Sequence, residues 1–280
     1  MSGMQPVAQA MQEALHADED RRWELVWQLQ AHGGQETLDL ADRYRRDPDP
    51  SHRELAADVL SQLGAGPGRP AADGPFHAAA LEILLDMIGD EDHPAVLHSI
   101  AVGLGHIGDE RSIAPLVRLH THPDVDVRRG VVSGLLRRPQ RPALDALIAL
   151  SSDPDDDVRD WATFGLARQT DEDFPELRAA LAARLGDDDP DTLAEAVHGL
   201  AVRGDERAMP QLLRHLAAPE PEGDLLVIIE ALYALATTTG DPRLLPYLEA
   251  ERDAWARDAP DEDPPAELTR ALARYRTEQR

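Results

Sequence analysis

Apolar and small residues recur along much of the chain at the spacing of one helix face. Three successive stretches, which begin at Val96, Val127 and Val158, carry such residues at positions i, i+3, i+4, i+7 and i+8. This spacing places the side chains on one side of an α-helix, where they can be buried together. In the third stretch the predicted buried stripe includes Trp161 and Leu166. The pattern predicts a helix at each stretch.

A second apolar segment follows each of these three stretches after a short turn, and two similar segments occur further along the chain. Each segment carries a proline in or near its predicted first turn, where the missing N–H of proline costs no hydrogen bond. The prolines concerned are Pro115, Pro142, Pro175, Pro210 and Pro246. The chain is therefore predicted to form pairs of helices.

The helix pairs repeat with a period of roughly 32 residues. Gly-Asp-Glu-Arg occurs at 108–111 and at 204–207, and Gly-Asp-Pro-Arg follows at 240–243. Gly-Leu pairs mark the first helix of four units, at 103–104, 134–135, 165–166 and 199–200. One helix pair cannot bury its apolar faces alone, whereas stacked pairs share a continuous core. The sequence thus predicts an all-α fold, a right-handed α-solenoid of about seven two-helix repeats.

Glycine within the first helix of each pair calls for a structural reason. A glycine in a helix interior is less stable than alanine by roughly 0.5–1 kcal/mol. Gly103, Gly134, Gly165 and Gly199 nevertheless share one position in four units. Because the missing Cβ lets two backbones come together, we predict close contact between neighbouring helices at these glycines.

Two segments depart from the repeat. Residues 64–75 are rich in glycine and proline and interrupt the second unit, so we predict a loop insertion there, either a tolerated one or a binding loop. Residues 257–265 form an acidic, proline-rich segment that we interpret as a linker. The predicted organisation is a repeat solenoid over residues 1–256, the linker, and a C-terminal capping helix over residues 266–280.

These features resemble HEAT repeats, in particular the short bacterial, PBS-lyase-like form with the pattern D-P-x-x-x-V-R, L-G-x-x-G-D-x-R and P-L. The matching residues are Asp153-Pro154 with Val158-Arg159, Pro123 with Val127-Arg128, and Gly108-Asp109-Glu110-Arg111 with Pro115. The resemblance covers about residues 20–255 and implies an armadillo-type superhelix. Since such repeats serve many unrelated roles, it implies a fold and leaves the function open.

The amino-acid composition limits the kinds of partner and the cellular compartment that we expect for this chain. The 280 residues carry 53 acids against 28 bases, a formal net charge of −25, and no cysteine. An acidic chain is poorly suited to nucleic acid or anionic lipid. All the bases are arginine, which we attribute to the codon bias of a GC-rich bacterial genome. Because the sequence shows no secretory signal and no membrane-length apolar run, we expect a cytoplasmic protein without nucleic-acid or membrane partners.

An EF-hand loop is one interpretation of the aspartate clusters at 153–157 and 187–191. Such a loop needs glycine at its sixth position and glutamate at its twelfth, but the first cluster offers Val158 and Phe164 there. Acids at a helix start instead accept backbone N–H bonds and complement the helix dipole. Similar acidic corners recur at Asp47, Asp90 and Asp124. We therefore predict helix starts, with no metal and no other cofactor.

Three kinds of enzyme are built on similar repeats. Di-iron hydroxylases of the deoxyhypusine type carry repeated His-Glu pairs, and this chain has none. Alkylpurine DNA glycosylases use a basic groove, for which the chain offers one basic patch, Arg128 to Arg141. Chromophore lyases of the phycobiliprotein type share the short repeat, but no residue here identifies a tetrapyrrole site. An enzyme or enzyme subunit of the lyase or glycosylase kind remains the alternative function.

The second helices supply the candidate partner-binding surface. We expect them to line the concave side of the solenoid, where partners bind. A row of arginines on that face could receive an acidic peptide or helix. The predicted partner-binding residues are Tyr44, Arg118, His120, Arg178, Arg214, His215 and Tyr247, with Arg184 and Arg252 on the same helices. The sequence thus predicts a non-enzymatic scaffold or adaptor that binds a protein or peptide on its concave face.

Overall fold

A computed structural model describes residues 6–65, 74–218, 225–259 and 262–277. The described residues form sixteen α-helices and no strand, which confirms the predicted all-α fold. No helix among them is long and apolar enough to cross a membrane. Most of the predicted loop insertion at 64–75 lies outside the described residues.

The chain divides into two compact units. Unit 1 comprises the described residues up to Leu136 together with Gln140–Ala146, and unit 2 comprises Arg137–Pro139 and the described residues from Leu147 onward. The helices of unit 1 are α1 Val7–Ala14, α2 Glu19–His32, α3 Gln35–Tyr44, α4 Pro50–Ser61, α5 His77–Asp90, α6 Pro94–Ile107, α7 Ile113–Arg118 and α8 Val125–Leu135. Helix α9, Arg141–Leu150, has residues in both units. The helices of unit 2 are α10 Asp156–Arg168, α11 Pro175–Ala183, α12 Pro190–Val202, α13 Met209–Ala217, α14 Leu225–Thr239, α15 Leu245–Asp258 and α16 Ala266–Thr277.

The first helices of the pairs pack directly side by side. In unit 1 the most extensive contacts join α4 to α6 and α6 to α8, and in unit 2 they join α10 to α12 and α12 to α14. The second helices, such as α5 and α7, make little contact with one another. We expected the second helices to line the concave side, but the layer in which neighbours approach most closely is that of the first helices. The expectation for the concave side stays a prediction.

Glycine explains the close approach at three of the four predicted positions, Gly103, Gly134 and Gly199. A Cβ added to Gly134 on α8 would lie 2.7 Å from the carbonyl oxygen of Ala101 on α6. One added to Gly103 would lie 3.1 Å from the Cβ of Ser61 on α4, and one added to Gly199 would lie 2.9 Å from the Cα of Ala167 on α10. Each contact is tighter than most real Cβ contacts in proteins. At Gly134 and Gly199 the first helices therefore meet backbone against backbone.

The acidic corners are helix starts, which confirms their structural interpretation. In the corner at 153–157, an Asp153 carboxylate oxygen accepts the N–H of Asp155 at 3.0 Å, and Asp155 caps α10 by accepting the N–H of Val158 at 3.1 Å. Similar caps begin α4 at Asp49, α8 at Asp124 and α12 at Asp189. The expectation for Asp90 is wrong, since that residue ends α5 and Glu91 accepts the next N–H groups instead.

Arginine joins successive corners. Arg159 donates to the carbonyl oxygen of Asp153 at 2.9 Å and pairs with Asp187, in the next corner, at 2.9 Å. Arg53 repeats the arrangement in unit 1, with a bond to the carbonyl oxygen of Asp47 and an ion pair to Glu91 at 2.8 Å. Because the acidic partners lie 28 and 38 residues along the chain, these arginines connect neighbouring repeats. Arg159 thus pairs with an acid of the next unit.

The Gly-Asp-x-Arg turns end the first helices. Gly108 and Gly204 have φ of 85° and 63°, a left-handed conformation that glycine adopts without steric cost. The aspartate that follows accepts the N–H of the arginine two residues later, as in Asp109 to Arg111 at 2.9 Å. The glycine therefore stops the helix, and the aspartate starts the next short turn.

The C-terminal helix belongs to the same layer as the preceding first helices. Helix α16 packs against α14 and α15, and its Tyr275 hydroxyl donates to the carbonyl oxygen of Asp241 at 2.7 Å. Helix α15 extends to Asp258, so the predicted solenoid boundary at residue 256 lies inside a helix.

Substitution of alanine for Gly134 should lower the free energy of unfolding by about 1–3 kcal/mol, because the added methyl group would overlap the backbone of α6. Chemical denaturation followed by circular dichroism measures the change. Gly89→Ala is the matched control, since a Cβ on Gly89 in α5 would meet nothing within 4 Å. It should leave stability unchanged or raise it by up to about 1 kcal/mol. Equal effects of the two substitutions would contradict the packing argument.

Candidate partner-binding face

In unit 1, most polar groups of the predicted partner-binding residues serve the fold. The Tyr44 hydroxyl accepts a hydrogen bond from Gln12 at 2.6 Å, and the Tyr44 ring packs edge-on against His52. His120 Nδ1 lies 2.7 Å from the carbonyl oxygen of Val117. Arg118 is exposed at the end of α7 and has no hydrogen bond or ion pair with the described residues.

In unit 2, Arg178 is held by its own chain. Its guanidinium pairs with Asp173 at 2.6 Å and with Asp205 at 3.3 Å, and it donates to the carbonyl oxygen of Arg203 at 2.8 Å. Hydrogen bonds to Asp173 and Asp205 raise the pKa of the Arg178 guanidinium, although desolvation by burial opposes the shift. This arginine stabilises the turn that precedes α13.

Three further residues on these helices, Arg184, Arg252 and His215, also have polar contacts within the chain. Arg184 pairs with Asp187 at 3.1 Å, and Arg252 with Asp253 at 2.8 Å. His215 Nδ1 lies 2.9 Å from a carbonyl oxygen of its own helix. These groups are therefore not available as an arginine row.

Two other predicted residues on second helices of unit 2 differ from these. Arg214 on α13 is exposed, and within the described ranges it makes no ion pair or hydrogen bond. Tyr247 on α15 is half-buried. Arg118 in unit 1 and Arg214 in unit 2 are thus the two predicted cations that the structure leaves exposed without a described partner.

An aromatic pair stands on the layer of first helices in unit 2. The predicted buried stripe of α10 is correct for Val158, Ala162 and Leu166, which are fully buried, but wrong for Trp161. Trp161 is 53 % exposed, and its ring packs edge-on against Phe164 at a centroid distance of 5.4 Å. The reason is its angular position, since residue 161 lies at the edge of the stripe centred on residues 158, 162 and 166.

A groove lies beside these two aromatic rings. Its volume is about 230 Å³, and it is bounded by α10, α12 and α14. The residues that line it are Asp160, Trp161, Phe164, Asp191, Ala194, Glu195 and Val227. We call it the aromatic–acidic groove. It combines two aromatic rings with three carboxyl groups, and its lining contains no basic residue.

Asp160 has the most perturbed carboxyl group at this groove. Burial, together with the negative charges of Asp189, Asp191 and Asp157, raises the pKa of Asp160 to about 6, and Arg159 opposes the shift. One carboxyl oxygen of Asp160 is buried and accepts no hydrogen bond from the described residues. The neighbouring Arg159 is committed to the corner ion pair.

A second, larger groove continues along the same layer between α12, α14 and α16. Its volume is about 470 Å³. The residues that line it are His198, Val202, Glu230, Tyr233, Ala234, Thr237, Thr238, Glu267 and Arg270. Burial, reinforced by Arg168 and Arg203, lowers the pKa of His198 to about 4, so this imidazole is neutral at physiological pH. Val202 at the edge of the groove is 42 % exposed.

Arg168 lies between the two grooves. Its guanidinium is 2.7 Å from a carboxylate oxygen of Glu230 and 3.7 Å from one of Glu195. It therefore offsets part of the acidic charge where the two grooves adjoin. We call the surface formed by both grooves the first-helix face of unit 2.

The sequence contained one sign of this face, the large side chain of Trp161, which the helical spacing had assigned to the buried stripe. Trp161 occupies the position of Gly130 and Ser99 in the two preceding repeats. Residues 161, 164 and 168 of α10 also lie at helical spacing, next to the predicted stripe. Asp160 carried no such signal, because its environment depends on acids about 30 residues away. Among the described residues, no group of three histidine, aspartate or glutamate side chains is placed to hold a metal ion.

Asp160→Asn should stabilise the protein at neutral pH and have no effect near pH 4. The folded-state pKa of about 6 lies above the ordinary value of 3.8, so ionisation favours the unfolded chain. This penalty is absent below pH 4, grows between pH 4 and pH 6, and is constant above. After allowance for the partial exposure of the carboxyl group, we expect a gain of about 1 kcal/mol at pH 7.5.

Urea denaturation at pH 4 and pH 7.5 measures this difference. Asp188→Asn, at an exposed acid of the α11–α12 corner, removes the same charge and controls for the general acidity of the chain. A gain for Asp160→Asn that is equal at the two pH values, or equal to that of the control, would contradict the burial of Asp160.

Comparison with known proteins identifies the family of the chain and shows structures with a similar fold. The profile of HEAT repeats matches residues 75–137 and 144–233, more than half of the chain. The crystal structure of Escherichia coli YibA aligns with a TM-score of 0.69 at 20 % identity, over 99 % of this chain and 98 % of that one. An engineered protein aligns with a TM-score of 0.58 at 17 % identity, over 97 % and 78 %. No curated protein matches. The chain belongs to the HEAT-repeat family.

Proposed function

We propose that this HEAT-repeat protein is a non-catalytic scaffold that binds a protein or peptide partner on the first-helix face of unit 2. The observation that carries the proposal is the exposure of Trp161 beside Phe164 at a groove. The core of α10 is complete without these rings, since Val158, Ala162 and Leu166 fill it. Exposed tryptophan beside a groove is typical of the residues that dominate protein interfaces.

The length of this face also supports a polypeptide partner. Two grooves adjoin along α10, α12, α14 and α16, and side chains of all four helices line them. Stacked repeats of this kind present extended surfaces on a rigid framework. A partner segment of several residues can therefore contact successive helices without any rearrangement of the backbone.

The exposed cations on second helices form a separate part of the proposal. Arg118 and Arg214 follow equivalent turns, and each is exposed without an ion pair among the described residues. We keep them as contacts for acidic segments of a partner. The other predicted partner-binding residues on these helices have their polar groups engaged within the chain or are half-buried, so we assign them to the fold.

A photo-crosslinking amino acid at position 202 should give a discrete adduct with one partner in cells of the native host. Val202 is exposed at the edge of the larger groove, so the probe would face a bound segment. The same probe at Glu249, which is exposed on α15, is the control and should give no adduct. Trp161→Ala should reduce the yield from position 202. Adducts of equal yield from both positions, or none from either, would refute the assignment of this face.

The double substitution Arg118→Glu and Arg214→Glu tests the second-helix contacts with the same adduct. Reversal of both charges should lower the yield by more than half if the partner also carries an acidic segment. A yield equal to that of the unsubstituted chain would remove these arginines from the proposal while leaving the first-helix face in place.

A further inference from the structure

We propose that the aromatic–acidic groove binds a cationic side chain, arginine or lysine, from the segment of a partner that docks on this face. The inference rests on the proposed scaffold function and specifies the chemistry of its partner. Four features of the groove carry it: an accessible indole, a second ring set edge-on to the first, three carboxyl groups, and a lining without a basic residue.

The indole supplies the first element of recognition. A guanidinium or ammonium group placed over the face of tryptophan is attracted by the ring quadrupole, and tryptophan is the aromatic residue best suited to this contact. Trp161 is 53 % exposed, and Phe164 meets it edge-on at an interplanar angle of 77°, which holds the indole in place. The ring is therefore both accessible and supported.

The carboxyl groups supply the second element. Asp160, Asp191 and Glu195 line the groove with the aromatic pair, and Val227 closes one side. Glu195 shares Arg168 with Glu230, so part of its charge is already offset. Asp160 and Asp191 have no ion pair with the described residues, and one buried oxygen of Asp160 accepts no hydrogen bond there. A guanidinium in the groove would offset the charge of these acids and relieve the repulsion between them.

Charge complementarity selects a cation over other occupants. A neutral apolar side chain would leave the carboxyl groups without a counter-charge, and an acidic one would be repelled by them and by the net charge of −25. A metal ion is disfavoured by the donor geometry, since no group of three acids or histidines in the described ranges is placed to hold one. A side chain with both a positive charge and an apolar stem fits both halves of the groove.

The probe for the test is a tetra-arginine peptide with blocked ends, added to the full-length chain. Trp161 is made the only tryptophan by Trp23→Phe, Trp27→Phe and Trp255→Phe, so that its fluorescence reports on the groove. We expect a saturable change with tetra-arginine and none with tetra-glutamate. A matched chain that keeps only Trp27, which is 61 % exposed in unit 1, should show no saturable change.

Two pairs of substitutions separate a built site from general attraction to an acidic protein. Asp160→Asn with Asp191→Asn should weaken the binding of tetra-arginine at least tenfold at 150 mM salt. Asp39→Asn with Glu249→Gln removes the same charge at exposed positions outside the groove lining and should weaken it less than twofold. Similar weakening by the two pairs, or the absence of saturation, would overturn the proposal.

The pH dependence gives a second readout. The charged groups that face Asp160 are Asp157 and Arg159 on α10, and Asp189 and Asp191 at the start of α12. Because arginine keeps its charge, protonation of Asp160 should weaken binding several-fold between pH 7.5 and pH 5. The single variant Asp160→Asn should lose most of this dependence. An unchanged pH dependence in that variant would count against the role of Asp160.

The remaining outcomes are also decisive. Saturation of the Trp161 signal by Mg²⁺ or Ca²⁺ alone below 1 mM would assign the groove to a metal ion and overturn the proposal. Failure of tetra-arginine to bind, with a discrete adduct still formed from position 202, would reject the cationic partner and leave the scaffold function standing. Loss of both results would reject the two proposals together.

Discussion

The contact between first helices of neighbouring repeats is the constraint on which the rest of the structure depends. At Gly134 and Gly199 a Cβ would collide with neighbouring atoms, and at Gly134 the nearest obstacle is a backbone oxygen of the adjacent helix. At Gly103 a Cβ would lie in tight contact with Ser61 of the adjacent helix. Backbones that meet this closely fix the rotation of each helix about its own axis. Consequently, the residues on the opposite side of each first helix are directed away from the core in a fixed order.

That fixed rotation explains why the candidate binding face has a defined chemistry. On α10 the buried positions are filled by Val158, Ala162 and Leu166, and Trp161 at the edge of this stripe is left exposed. On α12 the corresponding edge carries Glu195 and His198. The groove beside Trp161 is therefore lined both by core residues, such as Ala194 and Val227, and by an exposed ring that the core does not need.

Acidic residues have two distinct roles in this chain. Those at the corners, such as Asp153, Asp155 and Asp187, accept N–H groups at helix starts or pair with Arg159. Asp160 lies one turn further into α10, past the cap, where it faces the corner of the next repeat instead of its own N–H groups. Burial and like charge raise the pKa of its carboxyl group. A shift of a few residues along α10 thus separates the acids that stabilise the helix start from Asp160, the candidate ligand-binding acid.

The features that depend on local chemistry could be predicted from the amino-acid sequence. Helix pairs follow from the apolar spacing, helix starts from the aspartate caps, and helix ends from Gly108 and Gly204, because each involves residues within a few positions of one another. The shared glycines also predicted the close helix contacts, since only a neighbouring backbone accounts for their cost.

Tertiary structure alone decided which layer of helices packs closest, where Trp161 lies, and what surrounds Asp160. It also decided that Arg178 is bound to Asp205, 27 residues along the chain, although the sequence suggested a partner-binding arginine. The physical reason is that exposure, ion pairing and the pKa of a carboxyl group depend on residues about 30 positions away. Repeat stacking brings these residues together, and no local pattern specifies the resulting distances.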